Sequence, residues 1–246
     1  MSEFLRRYRD QVVQILDQVV TGQSTAFEAV RDAVADALAA GRLIHVAGSG
    51  HSHLVAEEAF FRAGGIAAAQ AILDPDLMLH VSASGSSRLE RESGHADRVL
   101  AGYDVLEGDV VFIVSNSGRN AYPIEMALAA KARGAKTVAL TSLRHTERVT
   151  SRHSSGKRLF ELCDLVLDNG ADYGDACLPV GQTGLRMGPV STISGAFLIN
   201  AIMAEAVERL AGRGIAVDVY QSANGQGGEA AADEIVQRWQ PRIKGL

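Results

Sequence analysis

The chain opens with two helical patterns. Over residues 3–20 the apolar positions Phe4, Leu5, Tyr8, Val12, Ile15, Leu16 and Val19 recur at the helical period, and residues 24–40 continue in the same way. The pattern then changes. Short β-branched runs at 43–47, 110–114 and 137–140 each end in a loop of small or hydroxylated residues: Gly48-Ser-Gly-His-Ser52, Ser115-Asn-Ser-Gly118 and Thr141-Ser142. Further strands are expected at 66–73 and 165–167, and a helix over about 121–133 stops at Gly134. Apolar runs without polar alternation belong to strands covered on both faces, as in a parallel sheet. The pattern therefore predicts one α/β domain over residues 1–246. Its core is a doubly wound, flavodoxin-like parallel sheet of five strands, with a helical extension at 1–40 and a terminal helix at 229–246. A loop holding Ser222-Ala-Asn224-Gly225 leads into that last helix. A helix over 192–210 is apolar almost all round, which predicts burial in the core or against a partner chain.

The composition, 47% hydrophobic and 22% charged over 246 residues, is that of an ordinary globular domain. A net charge of −5 argues against a nucleic-acid partner. It also implies that an anionic ligand would be gripped by hydroxyls and local dipoles, not by a basic field. Cys163 and Cys177 fit no zinc spacing and read as structural thiols of a reducing compartment. The N-terminus alternates arginines with apolar residues, unlike a secretion signal, and no 18 apolar residues run together. A cytoplasmic protein without a membrane partner is expected. No cofactor motif is complete: Gly48-Ser-Gly50 follows a strand and Asp74 ends the next, but His53 stands where a dinucleotide fingerprint has its third glycine.

In an open parallel sheet, ligands bind beyond the carboxyl ends of the strands. Small residues there let the backbone approach an oxyanion, and helix N-termini favour negative charge. The candidate ligand residues are thus Ser49, His51 and Ser52 in the first loop, with Ser142 after the 137–140 strand. Ser115, Asn116, Ser117, Gly118, Arg119 and Asn120 supply the loop between them. A single such loop is more often an ordinary helix cap; two at equivalent positions favour one phosphate and its sugar.

GSGHSH, SNSGRN and the later ST–LIN pattern resemble the SIS (sugar isomerase) domain family along most of the chain. The stretches AEEAFFRAGG and SNSGRNAYPIEMALAAKARGAKTVALTS are similar to a bacterial subgroup that includes N-acetylglucosamine-6-phosphate dehydratase. By that resemblance Ser52, Ser115, Ser117 and Asn120 would hold phosphate. Phosphoheptose isomerases carry a Glu and a His on their last long helix, whereas Thr192-Ile-Ser-Gly-Ala-Phe-Leu198 has neither. Muramic acid 6-phosphate etherases are similar in two further places, at Ser117-Gly-Arg-Asn-Ala-Tyr122 and Ile199-Asn-Ala-Ile202, and their glutamate falls near Glu90. The resemblance implies β-elimination at C3 of an N-acetylamino sugar 6-phosphate, without cofactor or metal, by a homodimer or higher oligomer whose sites lie near the interface. An aldose–ketose isomerase or a non-catalytic sugar-phosphate sensor are the alternatives.

Elimination needs a base for the C2 proton and an acid for the C3 oxygen. The foremost candidates are Glu90, Glu58 and His53, with Glu57, Glu92, His51 and Asp175 behind them. Glu58 is expected to face the sheet, and His51 and His53 to meet sugar hydroxyls or shuttle a proton. A metal on His51 and His53, completed by His95 and Asp175, is the weaker reading. His45 reads as a satisfied core residue, His80, His145 and His153 as surface residues, and Asn200 as a buried amide partnered across a dimer.

Overall fold

The computed structural model describes residues 2–222 and 228–246. Ala223, Asn224 and Gly225 of the expected loop lie outside them. Helices α1 (Glu3–Thr21) and α2 (Ser24–Ala39) lead into β1 (Ile44–Gly48), α3 (His53–Ala59) and β2 (Ala69–Ile72). Then follow α4 (Leu79–Leu89), α5 (His95–Leu100), β3 (Val110–Val114), α6 (Ala121–Ala132), β4 (Lys136–Thr141), α7 (Leu143–Thr146) and β5 (Leu165–Asp168). A small hairpin, β6 (Leu178–Pro179) with β7 (Arg186–Met187), precedes α8 (Ser191–Ala211) and α9 (Gly228–Trp239).

The five strands run parallel in the order β2-β1-β3-β4-β5. β1 and β3 are buried throughout, as their unbroken apolar runs require. α1, α2, α3 and α8 cover one face through residues such as Val34, Val55, Leu198 and Ile202. α5 and α6 cover the other, where Leu100, Tyr122 and Met126 pack. The chain thus turns to opposite faces after β1 and after β3. That reversal opens a crevice at their carboxyl ends, the place where this strand order takes its ligand.

One sequence expectation changes. Residues 66–68 do not extend β2, because Ile66 pairs antiparallel with Val219 and Ala67 donates to the Asp218 carbonyl. The long apolar helix α8 buries one face, with Leu198, Ile199, Ile202 and Leu210, while Ile193 and Phe197 stay exposed. His45 sits in the core as expected, its Nε2 3.0 Å from Asp109 Oδ2.

Candidate active site

Two glycines shape the crevice. A Cβ on Gly48 would lie 2.6 Å from the Ser52 carbonyl oxygen, so only glycine lets the first loop fold back this tightly. Gly118 adopts φ +57° and packs under Leu159, which fixes the bend of the second loop.

The residues that would ordinarily cap the two helices do not cap them. Ser52 precedes α3 and Asn120 precedes α6, yet neither side chain bonds to its helix. The Asn120 Oδ1 instead accepts from Arg152 Nη1 at 3.0 Å. Ser49 and Ser117 are half-buried and, like Ser52, have hydroxyls engaged with no other group among the described residues. Ser115 accepts the Gly118 N–H at 3.2 Å and keeps its own proton to donate. Asn116 is held by Asn169 through its side-chain oxygen. Ser142 differs from the expectation. Its hydroxyl donates to the Ala171 carbonyl at 2.7 Å and accepts from His145 N, so it caps α7 and has no proton left for a ligand.

His53, at the start of α3, is 3% exposed, and both ring nitrogens lack a partner in hydrogen-bond geometry. Burial holds its ring below the ordinary imidazole range; the Gly50 carbonyl, Glu57 and Asp74 pull the other way, and His80 adds to the lowering. The ring is therefore neutral at pH 7. It lines a cleft of about 260 Å³ with His51, Leu54, Glu57, Leu79 and His80. His80 belongs to the site's wall, then, although it is exposed.

Glu58 does not face the sheet. Arg62 and the Asn200 amide both meet its Oε1, the latter at 2.7 Å. This gives Asn200 an intrachain partner where one across a dimer was expected. Glu90 caps the end of α4, and its carbonyl accepts the Tyr122 N–H at 3.0 Å, which brings it to the start of α6. Asp175 is occupied at the start of α8 by Val190 N, Ser191 N and the Ser191 hydroxyl. Among the described residues no cluster of three His, Cys, Asp or Glu side chains is placed to hold a metal.

Several further polar groups show their partners only in the fold. Asp74, beyond β2, contacts His95 Nε2, while Arg98 donates to His95 Nδ1 at 2.8 Å. An arginine donor on Nδ1 leaves the ring proton on Nε2, pointed at Asp74. The Tyr122 hydroxyl is buried without a partner, and burial, then Asp74, pushes it far above the usual phenol range. His153, expected at the surface, sits against Glu125 at 3.6 Å with a side chain 11% exposed. His145 stacks on Tyr173, and burial, then Arg119, lowers its ring. Cys163 and Cys177 are free, and burial pushes the Cys163 thiol up to about 12.

The family model described as the SIS domain matches residues 7–142. The chain belongs to the SIS-domain family. A UPF0309 protein of Halalkalibacterium halodurans is 41% identical over 92% of this chain and 93% of its own length. One of Geobacillus thermodenitrificans is 40% identical over 97% and 94%. Among solved structures, the phosphoheptose isomerase of Neisseria gonorrhoeae matches with a TM-score of 0.54 and 19% identity, covering 83% of this chain and 97% of its own. The Vibrio vulnificus NanR protein, complexed with ManNAc-6P, matches with a TM-score of 0.51 and 19% identity over all of this chain and 72% of its own. At such identities these structures show that the SIS fold is shared. No helix among the described residues is long and apolar enough to cross a membrane.

Proposed function

We propose that this SIS protein is a lyase that binds an N-acetylamino sugar 6-phosphate and eliminates at its C3. The observation that carries the reading is the crevice at the β1/β3 reversal. Three hydroxyls engaged with no other described group, those of Ser49, Ser52 and Ser117, stand in the loops after β1 and β3, and the buried imidazole of His53 begins the helix that follows the first loop. Hydroxyls and loop N–H groups suit a phosphate. A neutral ring, with one nitrogen lone pair to accept a proton, suits a proton at carbon. Once the sugar opens to its aldehyde, the C2 proton becomes acidic and His53 removes it, with Glu57 and Asp74 favouring the imidazolium that forms. Glu90, held at the start of α6, serves the C3 oxygen as it leaves. Incubation with N-acetylglucosamine 6-phosphate, followed by mass spectrometry, tests this directly: loss of one water supports it. An isomer of unchanged mass would make the protein an aldose–ketose isomerase.

Ser117→Ala is expected to weaken binding of phosphorylated sugars by about tenfold, the loss of one hydrogen bond to a charged group. Titration calorimetry checks it, and unchanged affinity would remove the loop from the phosphate site.

The protein acts as a homodimer in this reading. The cleft at His53 shares Leu54 and Glu57 with a groove of about 510 Å³ that runs to Thr192 and Ala196 on α8. Exposed Leu54 lines this groove, and exposed Phe61 and Ile193 adjoin its Arg62 and Thr192 in the chain; a second copy would cover them and close the site. Ile193→Asp should convert a dimer to a monomer of much lower activity by light scattering and assay; a wild-type monomer with full activity refutes the arrangement.

A further inference from the structure

The elimination chemistry leaves one wall of the His53 cleft unused. Beside its polar groups, the cleft is lined by Leu54, Met78 and Leu79. Leu54 is 49% exposed, and Met78 and Leu79 are half-buried. Covering such apolar side chains is favourable, and neither a phosphate nor a sugar hydroxyl can do it.

The wall is fixed by the chain on either side of it. Asp74 accepts from Asp76 N at 3.3 Å and caps the turn Pro75–Leu77. Met78 N closes that turn on the Pro75 carbonyl at 3.1 Å. The fully buried Leu77 anchors it, and its carbonyl accepts the Ser86 hydroxyl at 2.7 Å. Leu79 then reaches back over the first loop: a Cβ placed on Gly50, which adopts φ +55°, would stand 3.7 Å from its Cδ2. Leu54 follows His53 at the start of α3. Three apolar side chains thus share one cleft with the ring.

An N-acetylamino sugar phosphate has one apolar group to meet them. If His53 takes the proton from C2, then C2 lies in the cleft that the ring lines, and C2 also carries the N-acyl substituent. An acetamide is a trans amide. Its methyl carbon therefore stands about 3.8 Å from C2, the spacing of successive Cα atoms across a trans peptide. C1 and C3 bear oxygen, whereas that methyl is hydrocarbon.

We infer that Leu54, Met78 and Leu79 form the pocket for the substrate's N-acyl group, and that this pocket admits linear acyl chains longer than acetyl. The inference rests on the part of the elimination reading in which His53 takes the C2 proton. It adds how the nitrogen substituent is recognised. The cleft measures about 260 Å³, and a further methylene is about the size of a water molecule, ~30 Å³. One or two of them fit beside the methyl.

Glucosamine 6-phosphates bearing N-acetyl, N-propanoyl or N-butanoyl groups test it, with affinity from titration calorimetry and products from mass spectrometry. The wild-type protein should bind each longer chain about threefold more tightly than the last, the gain from burying one more methylene, and take water from all three. Leu79→Asn and Met78→Gln put polar groups of similar size at half-buried positions, so the melting temperature should hold. Each should lessen the gain per carbon, and the double variant should abolish it. A residue that only shapes the fold would weaken all three ligands equally and leave the gain intact.

Equal affinity for all three in the wild type overturns the inference, by placing the acyl group in water. Refusal of the two longer chains overturns it by closing the pocket at acetyl, and so does an undiminished gain in the double variant. If the acetyl sugar phosphate loses water while affinity is flat along the series, the elimination reading stands and only the inference fails. If the gain per carbon appears but no water is lost, elimination fails and the acyl pocket stands. If none of the three binds, both fail.

Discussion

His53→Gln is expected to cut turnover by about 10²–10⁴-fold while substrate affinity changes little. Glutamine fills most of the space and remains polar, so the melting temperature should hold, but it has no lone-pair nitrogen to accept a proton. The pH profile carries the argument further. Burial keeps the folded ring below the ordinary imidazole value of 6.5. The acid limb of kcat/KM should therefore fall below pH 6.5, with activity lost as the pH drops through the folded pKa, and a variant without the ring should lack that limb. Stability follows the same sign. The unfolded ring takes a proton from about pH 6.5 downward while the folded ring resists it. The contribution of His53 is thus complete above 6.5 and is lost as the pH falls through the folded value. Solvent deuterium exchange at C2 gives the second readout, and it should vanish with the ring. An active His53→Gln enzyme that still exchanges C2 would transfer the base role to another group.

Much of the scaffold was legible because it obeys one local rule at a time. Apolar runs such as residues 110–114 name buried parallel strands, and the small residues after them name the loops at the sheet's carboxyl edge. The strand order then needed only the reversal between β1 and β3 to place the crevice. The boundaries at residues 66–68 were not legible, since their partner is Val219, far along the chain. The same applies to Ser142, whose hydroxyl meets the Ala171 carbonyl across a turn that no periodicity announces. Glu58 looked buried by its helical neighbours, yet Arg62 and Asn200 draw it aside. A total of −5 says nothing about where Arg119 and Arg152 meet, because residues distant in sequence converge only on folding.

Glu90→Gln is expected to lower elimination by at least a hundredfold while leaving C2 exchange in heavy water intact. The difference from His53→Gln separates the two groups. A base variant stops the proton leaving carbon, whereas an acid variant lets it leave and return, because the C3 bond no longer breaks. Affinity and melting temperature should barely move, since the fold uses the Glu90 backbone carbonyl, not its side chain, to meet Tyr122. Glu90 is also the carboxylate that opposes the repulsion of Arg152 by Arg119 and Arg91. Loss of both exchange and elimination in Glu90→Gln would instead make Glu90 the base at C2, and full activity would remove it from the chemistry.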